Sequence, residues 1–131
     1  MLVLQSLTER VIGLAIDVRC ELGPGLLESV HETCHGLELN QGGIPFNRLG
    51  PIPVVYRSLR LNTSFCANFV ICDDLIVETK AVERPLPTHE AQLLTCLRMS
   101  GCQVGLPLNF NAIRLKYGLR RFVRTRQVEP P

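Results

Sequence analysis

The spacing of hydrophobic residues over the first 43 positions predicts two amphipathic helices. Ser6 and Glu9 have the spacing of a capping box, and the apolar residues that follow recur at helical intervals as far as the Gly23-Pro24-Gly25 stop. A second helix is expected from Leu26 or Leu27 to Gly42-Gly43. Its predicted core-facing residues are Leu27, Val30, Cys34 and Leu37, and its predicted surface residues are Glu28, His31, Glu32 and His35.

Beyond Ile44 the hydrophobic period changes to two, which indicates β-strands. One strand is expected over 52–56, at a sheet edge because Pro51 and Pro53 cannot donate to a ladder. Two apolar runs, 65–71 and 75–80, flank the polar segment 72–74 and predict an antiparallel hairpin. The other predicted elements are an arm over 59–61, a helix capped by Thr88 that ends at Gly101, a strand over 103–110, and an extended pair over 113–123 turning at Gly118. This order predicts an α+β fold with a mixed sheet flanked by helices.

The register of the hairpin decides which side chains share a face. A three-residue loop pairs Ile71 with Leu75, and counting back from that pair places Asn68 opposite Glu78. Side chains alternate along a strand, so Lys80 then lies on the same face as Glu78. A two-residue loop would pair Asn68 with the residue after Glu78 and turn Glu78 to the other face. The three-residue loop therefore predicts a polar cluster of Asn68, Glu78 and Lys80.

A carboxylate and an ammonium side by side at the end of an apolar strand suit chemistry on phosphate. Glu78 can hold a hard divalent cation, and Lys80 can stabilise developing negative charge or a nucleophilic water. The same pair also occurs as an ordinary ion pair on a solvated strand. The pattern alone leaves both interpretations open.

The length and amino-acid composition indicate how many domains the chain forms, where it is located and whether its cysteines are oxidised. The 131 residues, 46% of them hydrophobic, suffice for one compact core, so we expect a single domain over 1–125 and a flexible tail over 126–131. We expect a cytoplasmic protein without a membrane partner, since no apolar run could span a bilayer or serve as a signal-peptide core. The six cysteines contain no Cys-x-x-Cys pair and are expected to be free thiols.

The formal net charge of +2 is too small to define a polyanionic partner, but its distribution is uneven. A basic cluster near the C-terminal end could bind a nucleic-acid backbone or form a solvated terminal segment. Its members are Arg114, Lys116, Arg120, Arg121, Arg124 and Arg126.

Several ordered blocks of the chain resemble the small prokaryotic GxxExxY proteins, and together they extend over nearly the whole sequence. The blocks are 25–30, 44–46, 53–56, 77–83, 89–94 and 109–111. That family is similar to a compact branch of the PD-(D/E)XK nuclease superfamily. The resemblance implies a restriction-endonuclease-like core that uses Mg²⁺, or Mn²⁺, to cleave phosphodiester bonds in DNA or RNA.

The resemblance also implies roles for individual residues. Glu28 corresponds to the helix acid, Glu78 to the second metal ligand and Lys80 to the catalytic lysine. Gln92 corresponds to the polar residue that opens the Gln-x-x-x-Tyr element on the following helix. The family aspartate falls on Asn68, whose amide oxygen can coordinate Mg²⁺ without a full negative charge. Three further family residues, two tyrosines and an arginine, fall on His31, Cys96 and Cys66.

Two other functions are compatible with the sequence. The same fold with an impaired site would be a non-catalytic module that binds nucleic acid or a protein. The segment 31–35 also spells the His-Glu-x-x-His signature of zinc hydrolases, in which His31 and His35 would bind zinc and Glu32 would act as general base. The third zinc ligand is missing at the usual spacing, since Glu38 stands where a glycine is needed. The leading expectation is therefore a Mg²⁺-dependent nuclease-like protein with Glu28, Asn68 and Glu78 as metal ligands.

Overall fold

The chain forms one five-stranded sheet, a separate hairpin and three helices within the residues described by this computed structural model, which are 4–48, 51–66, 69–84, 86–111 and 121–123. The elements are α1 (Gln5–Leu22), α2 (Glu28–Gln41), β1 (Phe46–Arg48), β2 (Pro51–Tyr56), β3 (Leu59–Cys66), β4 (Phe69–Ile71), β5 (Leu75–Lys80), α3 (Pro87–Ser100), β6 (Val104–Asn109) and β7 (Phe122–Val123). The large sheet has the order β1-β4-β5-β6-β7, and β2 pairs with β3. Among the strand pairs in the described ranges, β5 and β6 run parallel and the others antiparallel. The predicted α+β fold is confirmed.

Helix α1 begins one residue before the predicted capping box, so that prediction is wrong. Leu4 occupies the N-cap position in the left-handed region, and no side chain caps the helix. Glu9 instead accepts a hydrogen bond from the side chain of Gln5 at 3.2 Å. Gly23 ends the helix as expected, at φ 73°, where a residue without Cβ is favoured. The buried side of α1 is formed by Thr8, Val11, Ala15 and Val18.

Helix α2 buries the face that the sequence predicts to be exposed. His31 and His35 are completely buried, and Glu32 is nearly so. By contrast, Leu27 is 74% exposed and Leu37 is 57% exposed, although both belong to the predicted core face. The prediction of the buried side of α2 is therefore wrong for most of its residues, but Cys34 packs against the core and Glu28 is exposed, both as expected.

Aromatic rings on the sheet explain why the histidine face is buried. The His31 ring stacks on Phe110 with centroids 4.5 Å apart, and the His35 ring meets Phe69 edge-on at 5.8 Å. Gly36 lets the sheet approach closely, because a Cβ at this position would lie 3.4 Å from Phe69. The imidazoles thus act as flat core side chains that match the facing rings.

The strand predicted over 65–71 is divided between two sheets. β3 ends at Cys66 in the small sheet, and β4 begins at Phe69 in the large one. The predicted register of the next turn is confirmed, since Ile71 pairs with Leu75 and Phe69 pairs with Val77. The loop over 72–74 thus holds three residues, as the alignment of polar side chains requires.

The segment after β5 crosses over to the parallel strand β6 through α3. The helix begins at Pro87, so Thr88 lies inside it and is not the predicted cap, while Gly101 ends it at φ 78°. On one side of the sheet α3 packs against Ile76, and Leu93 covers Gly105 so closely that a Cβ there would lie 2.9 Å away. On the other side, Val77 and Leu106 pack in the core beneath α1 and α2.

Part of the C-terminal prediction falls outside the described residues. Of the extended pair expected over 113–123, the structure describes only the end, where β7 pairs with β6. Of the basic cluster it describes Arg121 alone, and the predicted tail over 126–131 lies outside as well. In the described ranges, none of the helices combines the length and apolarity needed to cross a membrane.

Candidate active site

Strand β5 carries Glu78 and Lys80 to one face of the sheet, near its carboxyl end. Both project from the side on which α3 packs, because Ile76 at the preceding even position contacts that helix. The Lys80 Nζ lies 4.0 Å from Oε2 of Glu78, which is within ion-pair range but too long for a hydrogen bond. The carboxylate side chain is only 9% exposed and the lysine side chain 23%. The predicted pairing of an acid and an amine on one face is therefore present.

The carboxylate of Glu78 is held in an environment that disfavours its charge. Burial raises the pKa of Glu78, the positive charge of Lys80 lowers it, and the negative charge of Glu28 raises it further. Oε2 of Glu78 is buried without a hydrogen-bond partner among the described residues. A buried acceptor oxygen next to a second acid has the properties of a cation ligand, because a bound cation would offset both burial and repulsion.

Glu28 is linked to the end of β5 from the other side of the cluster. It lies in the first turn of α2, and its Oε1 accepts a hydrogen bond from the backbone N–H of Ala81 at 3.2 Å. Its charge also acts on Glu78. The structure thus brings together three of the predicted residues, Glu28, Glu78 and Lys80.

Of the two other predicted residues, Asn68 is outside the described part of the chain and Gln92 is exposed. Asn68 lies outside the described residues, so its place opposite Glu78 stays a prediction that rests on the confirmed register of the neighbouring pairs. The side chain of Gln92 projects from an exposed position of α3. Cys96, which stands at the tyrosine position of the same element, is buried against the sheet.

Two asparagines at the end of β6 support the site, and their roles were missed from the sequence. Asn109 pairs with Lys80 in the parallel ladder and is 6% exposed. Its side chain accepts a hydrogen bond from Val82 N–H at 3.1 Å and donates one to Val82 O at 2.8 Å. Asn111 Oδ1 accepts a hydrogen bond from Gly25 N–H at 3.0 Å. Their place at the end of a predicted strand could have indicated this role, because the carboxyl ends of adjacent parallel strands meet at one edge of a sheet.

Asn109→Ala is expected to destabilise the protein by about 1–3 kcal/mol, because it leaves the N–H and C=O of Val82 without their partner. Urea denaturation measures the change in the free energy of unfolding. The matched control is Asn47→Ala on the exposed edge strand β1, which should change that free energy by less than about 0.5 kcal/mol. Equal effects of the two variants would show that Asn109 does not hold this segment.

The buried histidines do not form the zinc site that the sequence suggested as an alternative. The Nε2 of His35 lies 3.1 Å from the carbonyl oxygen of Val11, and the His31 ring is stacked on Phe110. Glu32, the base in that interpretation, pairs with Arg48 at 3.2 Å. In the described part of the chain, His, Cys, Asp and Glu side chains do not gather in groups of three that could hold a metal ion. The expectation that these histidines lie at the surface is also wrong.

The mixed sheet with its flanking helices and the Glu-x-Lys on the central strand β5 define a restriction-endonuclease-like protein. Residues 5–122 match the family profile described as the PD-(D/E)XK nuclease superfamily. The chain therefore belongs to the PD-(D/E)XK nuclease superfamily. Neither the curated proteins nor the solved structures gave a significant match.

Proposed function

We propose that the protein is a divalent-metal-dependent nuclease in which Glu28, Asn68 and Glu78 hold Mg²⁺ or Mn²⁺ and Lys80 is the catalytic lysine. The observation that carries this proposal is the buried Oε2 of Glu78, which has no hydrogen-bond partner among the described residues, lies 4.0 Å from the Lys80 ammonium and is repelled by the charge of Glu28. An ordinary surface ion pair would leave both groups in water. Superfamily membership supports nucleic acid as the substrate. The narrower assignment to the GxxExxY proteins rests on the sequence blocks alone.

In this proposal each residue has a separate role in phosphodiester hydrolysis. When bound, a divalent ion supplies a Lewis acid that polarises phosphoryl oxygen and lowers the pKa of water. Glu28 and Glu78 provide negative charge to bind it, and Lys80 donates hydrogen bonds to the charge that develops on the phosphoryl group. Water adds to phosphorus and the bond to one ester oxygen breaks. The products are a phosphate monoester and a hydroxyl group.

Position 68 determines how strong this activity can be. Asn68 offers one neutral amide oxygen where the related proteins have an aspartate, so the site has one negative charge fewer to offset dehydration of the cation. This substitution favours a second candidate function, a non-catalytic module that binds nucleic acid on the same fold.

Asn68→Asp is expected to increase the Mg²⁺-dependent cleavage rate by about tenfold or more, because the aspartate restores a charged metal ligand. The wild type and the variant are incubated with end-labelled single- and double-stranded DNA and RNA in Mg²⁺ or Mn²⁺, and cleavage is followed on denaturing gels. Asn47→Asp, on exposed β1, controls for added negative charge. Absence of cleavage by both the wild type and Asn68→Asp, with nucleic-acid binding retained, would contradict the nuclease and favour the non-catalytic module.

A further inference from the structure

The hairpin formed by β2 and β3 has a defined tip that presents aromatic, aliphatic and basic side chains. Arg57 and Ser58 occupy the turn with φ values of 49° and 67°. Positive φ at both central residues is typical of a type I′ turn, whose twist matches that of the flanking strands. Tyr56 and Leu59 form the closing pair, so their positions at the tip are fixed by the ladder.

The side chains at this tip are exposed together. Val55, Tyr56 and Leu59 are 50%, 56% and 64% exposed, and the guanidinium of Arg57 lies over the Tyr56 ring, 5.3 Å from its centroid. The segment 51–66 contains two arginines and no acidic residue, although the chain has 12 acidic residues in all. An exposed ring with a cation against it and no nearby carboxylate from its own hairpin suits a polyanion that carries flat bases.

The hairpin is rooted beside the candidate active site. β1 ends at Arg48, which pairs with Phe69, and Phe69 pairs with Val77, the residue before Glu78. The last residue of the large sheet before β2 and its first residue after β3 are therefore both close to the start of the Glu78–Lys80 segment. β2 also packs against α3, the helix that covers the side of the sheet from which Glu78 and Lys80 project. From root to tip the six residues of β2 extend about 20 Å.

We propose that the tip of this hairpin binds single-stranded nucleic acid, with a base stacked on Tyr56 and a phosphate bound by Arg57. A single strand fits better than a duplex, because bases inside a duplex are already stacked and cannot present a face to the tyrosine ring. The proposal deepens the proposed nuclease function by naming its substrate class, and it rests on that function only for the identity of the substrate.

Binding is measured by fluorescence anisotropy with a labelled oligothymidylate of about 15 nucleotides and with a duplex of equal length, in EDTA so that nothing is cleaved. Tyr56→Ala is expected to weaken single-strand binding by about tenfold or more, and Tyr56→Phe should retain most of it. Arg57→Ala is expected to weaken binding and to reduce the slope of log affinity against log salt by about 0.7, the value for one phosphate contact on a single strand. Leu37→Ala and Arg10→Ala, at exposed positions on α2 and α1, are the matched controls and should bind like the wild type.

This binding assay in EDTA and the cleavage assay in Mg²⁺ or Mn²⁺ together separate the hairpin proposal from the nuclease proposal. If binding in EDTA depends on Tyr56, and neither the wild type nor Asn68→Asp cleaves in Mg²⁺ or Mn²⁺, the hairpin proposal is supported and the nuclease proposal is wrong. If the wild type cleaves and Tyr56→Ala binds the oligothymidylate as tightly as the wild type, the hairpin proposal is wrong and the nuclease proposal stands. Equal affinity for the duplex, or no binding by the wild type, also overturns the hairpin proposal.

Discussion

Replacing Lys80 with alanine is expected to lower the rate of Mg²⁺-dependent cleavage by at least about a hundredfold. The ammonium lies 4.0 Å from Glu78 and is largely shielded from water, so its interaction with developing negative charge is stronger than it would be in bulk solvent. Its loss has a second effect, since Lys80 is the charge that lowers the pKa of Glu78. Without it, the carboxylate is protonated at a higher pH, and the pH profile of any remaining cleavage should move upward.

Glu78→Gln is expected to reduce cleavage to a similar extent for a different reason, because it removes the charge that would hold the metal ion. Folding should not suffer. Burial disfavours the charged carboxylate, so the neutral amide is expected to leave the free energy of unfolding unchanged or higher. This split between activity and stability distinguishes a functional carboxylate from a structural one.

Initial rates on a labelled oligonucleotide test both variants, on the Asn68→Asp background if the wild type is slow. Glu21→Gln and Arg10→Gln remove one charge of each sign at exposed positions of α1 and should cleave like the parent protein. If cleavage survives in Lys80→Ala and in Glu78→Gln, the activity comes from another part of the molecule and the proposed site is wrong.

Lowering the pH from about 7 to about 4.5 is expected to weaken folding through the buried histidines. Burial lowers the pKa of His35 from 6.5 to about 4, against a smaller opposite effect of its hydrogen bond with the Val11 carbonyl. The pKa of His31 is also lowered, first by burial and then by the positive charge of Arg19. The unfolded chain binds protons on these rings below about pH 6.5, and the folded chain does so only at lower pH. The free energy of unfolding therefore keeps the full contribution of the neutral histidines above about pH 6.5. It decreases as the pH falls toward 4, by about 3 kcal/mol for His35 alone.

Urea denaturation at several pH values measures this loss, and two substitutions assign it. His31→Phe keeps a flat ring against Phe110, and His35→Gln keeps a donor for the Val11 carbonyl, yet neither new side chain titrates. Each should flatten the dependence of the free energy of unfolding on pH relative to the wild type. His89→Gln, at the more exposed third histidine, is the control and should keep the full slope. A slope that is the same in all four proteins would mean that the imidazoles already carry protons in the folded state.

Local patterns were enough to predict the strand that carries Glu78 and Lys80. Its apolar run, the three-residue turn before it and the alternation of side chains are properties of neighbouring residues, and the structure confirms the resulting register. The glycine that ends α3 could likewise be predicted from its own neighbourhood. The capping signals were less informative, since α1 and α3 begin at positions set by Leu4 and Pro87 rather than by the polar residues nearby.

The buried face of α2 could not be predicted because it depends on residues far away in the sequence. Leucine and valine at helical spacing normally mark the core side, but here the opposing sheet surface is aromatic and accepts His31, His35 and Gly36 instead. The role of Asn109 has the same origin. Its hydrogen bonds to Val82 exist only because β5 and β6 lie parallel, and that pairing joins segments separated by a whole helix.

Helix α2 both packs against the core and carries one of the acids of the candidate site. Glu28 stands on its first turn, tied to Ala81, while the following turns carry the stacked imidazoles. Any change that shifts the packing between those rings and the sheet must also displace the carboxylate that precedes them. In the proposed nuclease, residues that never touch a nucleic acid would thereby affect how well a metal ion is held, and defects in this interior are expected to weaken cleavage.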